Sequence, residues 1–185
     1  MTGDEPATAG PATDEEQRRR RVFFGLWPDE ATAAAIVRAT KRAVRLSGGR
    51  PIAKERLHIT VAFLGELTAE ELGRAFAAAP VATGAFDLTL DTVGFFPRSR
   101  VLWLAAREVP QALNELEQRL WVALEERGFA REPRIYRPHV TLAKKARAVS
   151  EDVDSIAWRV EELVLIESLP AGRSVHYEPL QRWAL

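Results

Sequence analysis

Cysteine is absent from this chain of 185 residues, and with it go disulfides, thiolate nucleophiles and cysteine-bound zinc. Net charge is absent as well: 26 Lys and Arg offset 26 Asp and Glu. No overall field therefore draws the chain to a phosphate backbone, and any contact with nucleic acid has to be local. There is no long uncharged apolar run of the kind that spans a membrane, and the first residues lack the apolar stretch of a secretory signal. A soluble cytoplasmic protein is expected. The length suits one domain able to bury roughly two thirds of its unfolded surface. Histidine is scarce, with three in the chain, and that scarcity makes their placement informative.

Two of the three stand in segments that nearly repeat. Arg56-Leu57-His58-Ile59-Thr60-Val61-Ala62 is matched by Arg137-Pro138-His139-Val140-Thr141-Leu142-Ala143. Chance placement gives such a double match with odds of about one in 10⁴. In a β-strand alternate side chains share a face, so His58 and Thr60 point one way while Leu57, Ile59, Val61 and Phe63 point into a core. His139 and Thr141 behave likewise, opposite Val140 and Leu142. Each segment thus offers an imidazole and a hydroxyl about 7 Å apart.

Residues 1–20 mix Gly, Pro, Ala, Thr and acidic residues and run into Arg18-Arg19-Arg20-Arg21. They are expected to form a disordered tail ahead of a single domain at 21–185. The Arg run is read as a solvated lead-in, with RNA contact as the alternative. Val22 to Trp27 predicts a strand stopped by Pro28. A helix follows, with Ala33, Ile36, Val37, Thr40, Ala43 and Val44 on one face, ended by Ser47-Gly48-Gly49. Thr68 and Glu71 form a capping-box pattern for a second helix reaching about Ala79. Strands are expected at 85–93 and 101–105 around a connection at 94–100, and a third helix at 111–127 stops at Gly128. The loop from Glu132 to Pro138 delivers the second His strand, and strands at 158–168 and 174–183 close the chain. Mixed strands and helices without strict alternation predict an α+β fold with mostly antiparallel sheet. The 81-residue offset between the histidines, each preceded by a helix, suggests two similar lobes facing across a cleft.

The two His-x-Thr-x elements, the run Leu57 to Gly65, the opening Arg21-Val22-Phe23-Phe24-Gly25-Leu26 and the ending Tyr177 to Leu185 resemble the RNA 2′,3′-cyclic phosphodiesterases of the two-histidine (2H) phosphoesterase superfamily. The resemblance covers residues 21–185. It implies a bilobal α+β fold, two pseudo-symmetric lobes of mostly antiparallel sheet with flanking helices around a central cleft. It also implies metal-independent hydrolysis of a terminal 2′,3′-cyclic phosphate on RNA or a nucleoside to a 2′-phosphomonoester. His58 would be the proton donor and His139 the proton acceptor, a division the residues by themselves leave open. Neighbouring activities in that superfamily are 2′-5′ RNA ligation and hydrolysis of other nucleotide phosphodiesters.

The chemistry can also be reasoned from the residues. A strained cyclic phosphodiester needs in-line attack by water, a proton for the departing ribose oxygen and relief of charge on the non-bridging oxygens. Two imidazoles with an ordinary pKa near 6.5 can divide the acid and base work, which predicts a bell-shaped pH profile near neutrality. Thr60 and Thr141 would donate to phosphate oxygens. No other His or carboxylate joins either histidine at ligand spacing, so no metal and no cofactor are expected. Lys144 stands where the family pattern commonly has Arg. Strict alternation sets it opposite His139, so it reaches phosphate only if the strand bends. Phe24, Tyr136 and Tyr177 are candidates for stacking on the terminal base, Phe24 first because it aligns with a cleft-side position of the family. His176 lies outside the repeat and is read as a surface residue. The expected partners are RNA ends or nucleotides bearing a cyclic phosphate, with no membrane, and the expected state is a monomer. A noncatalytic module holding an RNA end is the alternative outside enzymology.

Overall fold

Strand β1 (Arg20–Leu26) is the spine of the sheet, and its alternation decides which side chains reach the site. In the computed structural model, which describes residues 19–79, 83–172 and 174–185, Val22, Phe24 and Leu26 join the main core shared with the helices. Phe23 joins a small separate cluster with Val164 and Ile166. The expected tail lies outside the described residues except for Arg19 and Arg20, and Arg20 already opens the strand.

Helix α1 (Glu30–Ser47) starts at Asp29, whose Oδ1 accepts from the Thr32 amide at 2.7 Å, and ends where Gly48 takes a left-handed φ of 61°. Helix α2 (Ala69–Ala78) has the predicted capping box, with Thr68 and Glu71 satisfying each other's amides. Helix α3 (Gln111–Glu125) buries Leu113, Leu116, Leu120 and Leu124 on one stripe. Helix α1 packs against β7 (Val140–Lys144) and β8 (Ile156–Val160), whereas α2 and α3 pack on each other and on β3 (Ile59–Leu67).

The large sheet runs in the order β10-β9-β1-β3-β7-β6-β5, with β2 (Arg50–Pro51) also on β7. Here β5 is Thr92–Phe96, β6 Val101–Ala105, β9 Glu162–Ala171 and β10 Ser174–Ala184. Every strand pair is antiparallel. Its two halves meet at a single pair, Ile59 opposite Val140. That one bridge sets the first His-x-Thr segment against the second, and the strands part on either side of it to leave a cleft.

The stretch expected as one strand at 85–93 is two, β4 (Phe86–Leu90) and β5, and the expected connection at 94–100 is strand as far as Phe96. Asp91 makes the break: its Oδ1 accepts from Thr92 Oγ1 and from the Arg107 amide, both at 2.9 Å, so the chain turns there. Strand β4 leaves the main sheet and pairs with β8. The expected strand at 158–168 is split in the same way, between β8 and β9.

Candidate active site

Antiparallel running from the Ile59–Val140 pair sets Thr60 across from His139 and Thr141 across from His58. The four predicted residues thus form a group by register, each one residue from the bridge and related by its local two-fold axis.

The same local device orients both imidazoles. His58 Nδ1 lies 2.8 Å from the Arg56 carbonyl and His139 Nδ1 lies 2.6 Å from the Arg137 carbonyl. A carbonyl oxygen can only accept, so Nδ1 carries a hydrogen in each ring and Nε2 is the atom left for proton transfer. Aromatic neighbours hold the rings. His58 packs against Phe23, with centroids 4.8 Å apart, and edge-on to Tyr177 at 5.1 Å, while His139 meets Phe96 edge-on at 5.0 Å. Phe96 in turn rests beside Trp103, whose indole lies over Gly94; a Cβ there would stand 2.1 Å from the ring.

Burial pulls the His58 pKa down to about 4, and positive charge at His139 and Lys144 pushes the same way against the Arg56 carbonyl bond. His139 is also lowered by burial, with the Arg137 carbonyl opposing. With nothing bound, both rings are neutral near neutral pH. An anion in the cleft opposes this bias by favouring the imidazolium forms.

Two chambers open on the group. The first, of about 760 Å³, holds His58, Lys144, Phe23 and Tyr177, and the second, of about 640 Å³, holds His139, Phe96 and Tyr136. Thr60 and Phe63 line both. The loop that carries His139 is tied to α3 by Arg131 Nη2, which donates to the buried Glu117 carboxylate at 2.6 Å. Burial still holds the Glu117 pKa above its ordinary value.

Lys144 lines the first chamber, which strict alternation forbids. The cause is a β-bulge: Leu102 pairs with Ala143 and Trp103 with Thr141, so Leu142 has no partner on β6 and the face changes beyond it. Strand β3 does the same. Phe24 pairs with Ala62 and Gly25 with Thr60, skipping Val61. Phe63 is consequently not in the core, as alternation predicted, but 41% exposed on the cleft face, with the Arg21 guanidinium 5.1 Å from its ring centre.

Phe24 is the other correction. It is 0% exposed, packed into the core with Trp183 at 5.9 Å, and cannot meet a ligand. Its neighbour Phe23 holds the cleft side, because β1 keeps strict alternation and the sequence has Phe at both positions. Tyr177 stands beside His58, and Tyr136 lines the second chamber with its hydroxyl buried and without a partner. His176 is exposed on β10. Phe23, Phe63 and Phe96 were missed by sequence reasoning. For Phe63 a signal existed: the same 81-residue offset that maps His58 to His139 maps Phe63 to Lys144.

Among the described residues no group of three or more His, Asp or Glu side chains gathers where a metal ion could be held. None of the described helices is long and apolar enough to cross a membrane.

The sequence pattern of the 2′-5′ RNA ligase superfamily matches residues 28–170. The RNA 2′,3′-cyclic phosphodiesterase of Escherichia coli (strain K12) is 39% identical over 170 residues, covering 90% of this chain and 97% of that protein. The Thermus thermophilus protein of the same name is 28% identical over 179 residues, covering 89% and 90%. The crystal structure of E. coli LigT complexed with 3′-AMP superposes with a TM-score of 0.82 at 33% identity, over 90% of this chain and 98% of the other. With a match over most of its length and relatives of this identity and coverage, the chain belongs to the 2′-5′ RNA ligase superfamily.

Proposed function

We propose that the protein hydrolyses terminal 2′,3′-cyclic phosphates of RNA or nucleosides to 2′-phosphomonoesters, using two histidines and no metal. The observation that carries this is the pair of imidazoles, each with Nδ1 committed to the carbonyl two residues back and Nε2 left for proton transfer, set beside one bridge with Thr60 lining the chambers of both. The superfamily membership and the relatives named RNA 2′,3′-cyclic phosphodiesterase support it.

In this mechanism the cyclic phosphate lies between the rings. His139 Nε2 takes a proton from water as its oxygen attacks phosphorus in line with the P–O3′ bond. That bond breaks, His58 Nε2–H protonates O3′, and the product keeps its phosphate on O2′. Solvent exchange then returns the proton from His139 to His58. Thr60 and Thr141 donate to the non-bridging oxygens, and Lys144 adds a positive charge, as a point charge rather than a bidentate fork. Phe63, exposed between the chambers, is suited to stack on the terminal base. The substrate's own negative charge favours the imidazolium on His58. We take the working form to be a cytoplasmic monomer acting on RNA ends or nucleotides.

A second nucleophile is compatible with the same centre. The chamber on the His139 side, about 640 Å³, is far larger than one water needs and would admit an alcohol, giving a 2′-5′ linkage by the same proton transfers. The test is product analysis with adenosine 2′,3′-cyclic phosphate, alone and with an RNA bearing a free 5′-hydroxyl. Hydrolysis predicts adenosine 2′-phosphate in the first tube. The second reading predicts an additional 2′-5′-linked product in the second.

A further inference from the structure

The run Arg18-Arg19-Arg20-Arg21 has no part in the hydrolysis described above, yet its described members are arranged in a definite way. Alternation splits them. Arg20 turns to Glu167 and closes an ion pair at 2.5 Å, whereas Arg19 and Arg21 fall in step with Phe23, and all three line the first chamber. Arg21 lies two residues before Phe23 on the strand, a spacing of about 7 Å, and Arg19, just ahead of the strand, lines the same chamber, so the three form a row leading outward from the His58 ring.

The two arginines of the row keep their charge available. Arg21 lies over Phe63, and Arg19 Nη1 donates to the Glu66 carbonyl at 3.4 Å, but among the described residues neither closes an ion pair with a carboxylate. The charge of Arg19 reaches as far as Glu71, and that of Arg21 is felt at the Tyr177 hydroxyl. Glu66 and Glu167 are the acidic residues of the chamber wall, and Arg20 neutralises Glu167. With Lys144 the wall therefore carries a surplus of positive charge, in a chain whose overall charge is zero.

The direction of the chemistry says what this surplus faces. With His58 protonating the departing O3′, the ribose lies on the His58 side, in the first chamber. An RNA chain continues from the 5′ oxygen of that ribose and must leave through the same chamber. At about 760 Å³ the chamber has room beyond a pocket of roughly 300 Å³ that would hold a small ligand.

We infer that the row Phe23, Arg21, Arg19 is a track for the single strand upstream of the cyclic phosphate, with Arg21 and Arg19 meeting backbone phosphates and the protein thereby preferring RNA ends to mononucleotides. This rests on the proposed hydrolysis with His58 as proton donor. Its parts are electrostatic and sequence-independent, so the preference follows length and not base identity.

The test compares kcat/KM for adenosine 2′,3′-cyclic phosphate and for a tetranucleotide ending in a cyclic phosphate, in the wild-type protein, Arg19→Ala and Arg19→Glu. The track predicts a wild-type preference for the tetranucleotide of about tenfold or more at low salt. It predicts a several-fold loss in Arg19→Ala on the tetranucleotide alone, a larger loss in Arg19→Glu, and a salt dependence shallower by about 0.7 in log–log slope for the lost contact. Equal losses on both substrates, no loss on either, or no wild-type preference would overturn it. Equilibrium binding of a tetranucleotide and a mononucleotide, each ending in a phosphomonoester, separates this inference from the catalytic one. If turnover is absent but Arg19→Glu weakens only the longer ligand, the track stands and the hydrolysis falls. If turnover is present without a difference in binding, the track falls alone.

Discussion

Phe63 and Lys144 occupy equivalent positions in the two halves of the sheet. Each lies five residues beyond its histidine and three beyond its threonine, and each is turned onto the cleft face by a bulge, at Val61 in one strand and at Leu142 in the other. The local two-fold axis that makes the histidines alike thus makes the third position of each strand different, an aromatic ring on one side and a cation on the other. In the proposed mechanism this asymmetry would give a near-symmetric pair of acid–base groups a direction for binding a nucleotide.

The two positions should separate in kinetics. Phe63→Ala should raise KM for a nucleoside cyclic phosphate by the equivalent of about 1–3 kcal/mol of stacking, with a smaller effect on ribose cyclic phosphate that has no base. Lys144→Met should instead lower kcat/KM on both substrates, and Lys144→Arg should restore most of it. Equal effects of Phe63→Ala with and without a base would remove the stacking role.

The pH profile should sit lower than free imidazoles suggest. The reaction needs one proton on the histidine pair. Burial holds His58 at about 4 and lowers His139, so the free protein carries none near neutrality. kcat/KM should therefore fall by about tenfold per unit as pH rises above 7, with its maximum displaced to the acid side. kcat should peak at higher pH, because the bound anion raises both groups. A kcat/KM that is flat or rising from pH 6 to 8 would contradict these environments.

Stability should carry the same signature. A histidine whose folded pKa is depressed is stabilising as the neutral form, an advantage complete above the unfolded value near 6.5 and lost progressively as pH falls toward about 4. The Tm should decline over that window, and His58→Asn should flatten part of the decline. Inorganic phosphate should offset the fall more at pH 5 than at pH 8, since it favours the charged rings. Calorimetry across the window checks both statements.

Thr60→Val and Thr141→Val keep shape and β-propensity while deleting the hydroxyl. Each should slow single-turnover hydrolysis by the equivalent of about 1–3 kcal/mol, with Tm and both limbs of the pH profile nearly unmoved. Wild-type rates in either variant would make that threonine a packing residue.

The proposed catalytic quartet is legible in the sequence because scarce residue types recur in a strand-period pattern, and one antiparallel bridge sets the two copies side by side. Helix limits were legible from Asp29, Gly48 and the Thr68–Glu71 box, whose chemistry is local. The bulges were not, because an extra residue in a strand depends on the neighbouring strand and leaves no mark in a period of two. Alternation alone therefore sends Phe63 to the core and admits Lys144 to the cleft only if the strand bends, as it does at Leu142. Phe24 failed for a related reason: β1 is apolar on both faces, so its sequence does not say which of two adjacent phenylalanines faces the cleft. The division of 85–93 at Asp91 depended on a carboxylate finding the Arg107 amide, a contact across 16 residues.

The central claim, that two oriented imidazoles alone divide the proton transfers, is tested most directly by following adenosine 2′,3′-cyclic phosphate in excess chelator, with the product resolved into its 2′- and 3′-phosphate isomers. The account predicts turnover undiminished by chelator and adenosine 2′-phosphate as product. It further predicts a loss of about 10²-fold or more in each of His58→Ala and His139→Ala, and a double variant slower than either by far less than the product of the two losses. Turnover that stops in chelator and returns with a divalent ion, or a single variant that keeps near-normal turnover, would contradict it.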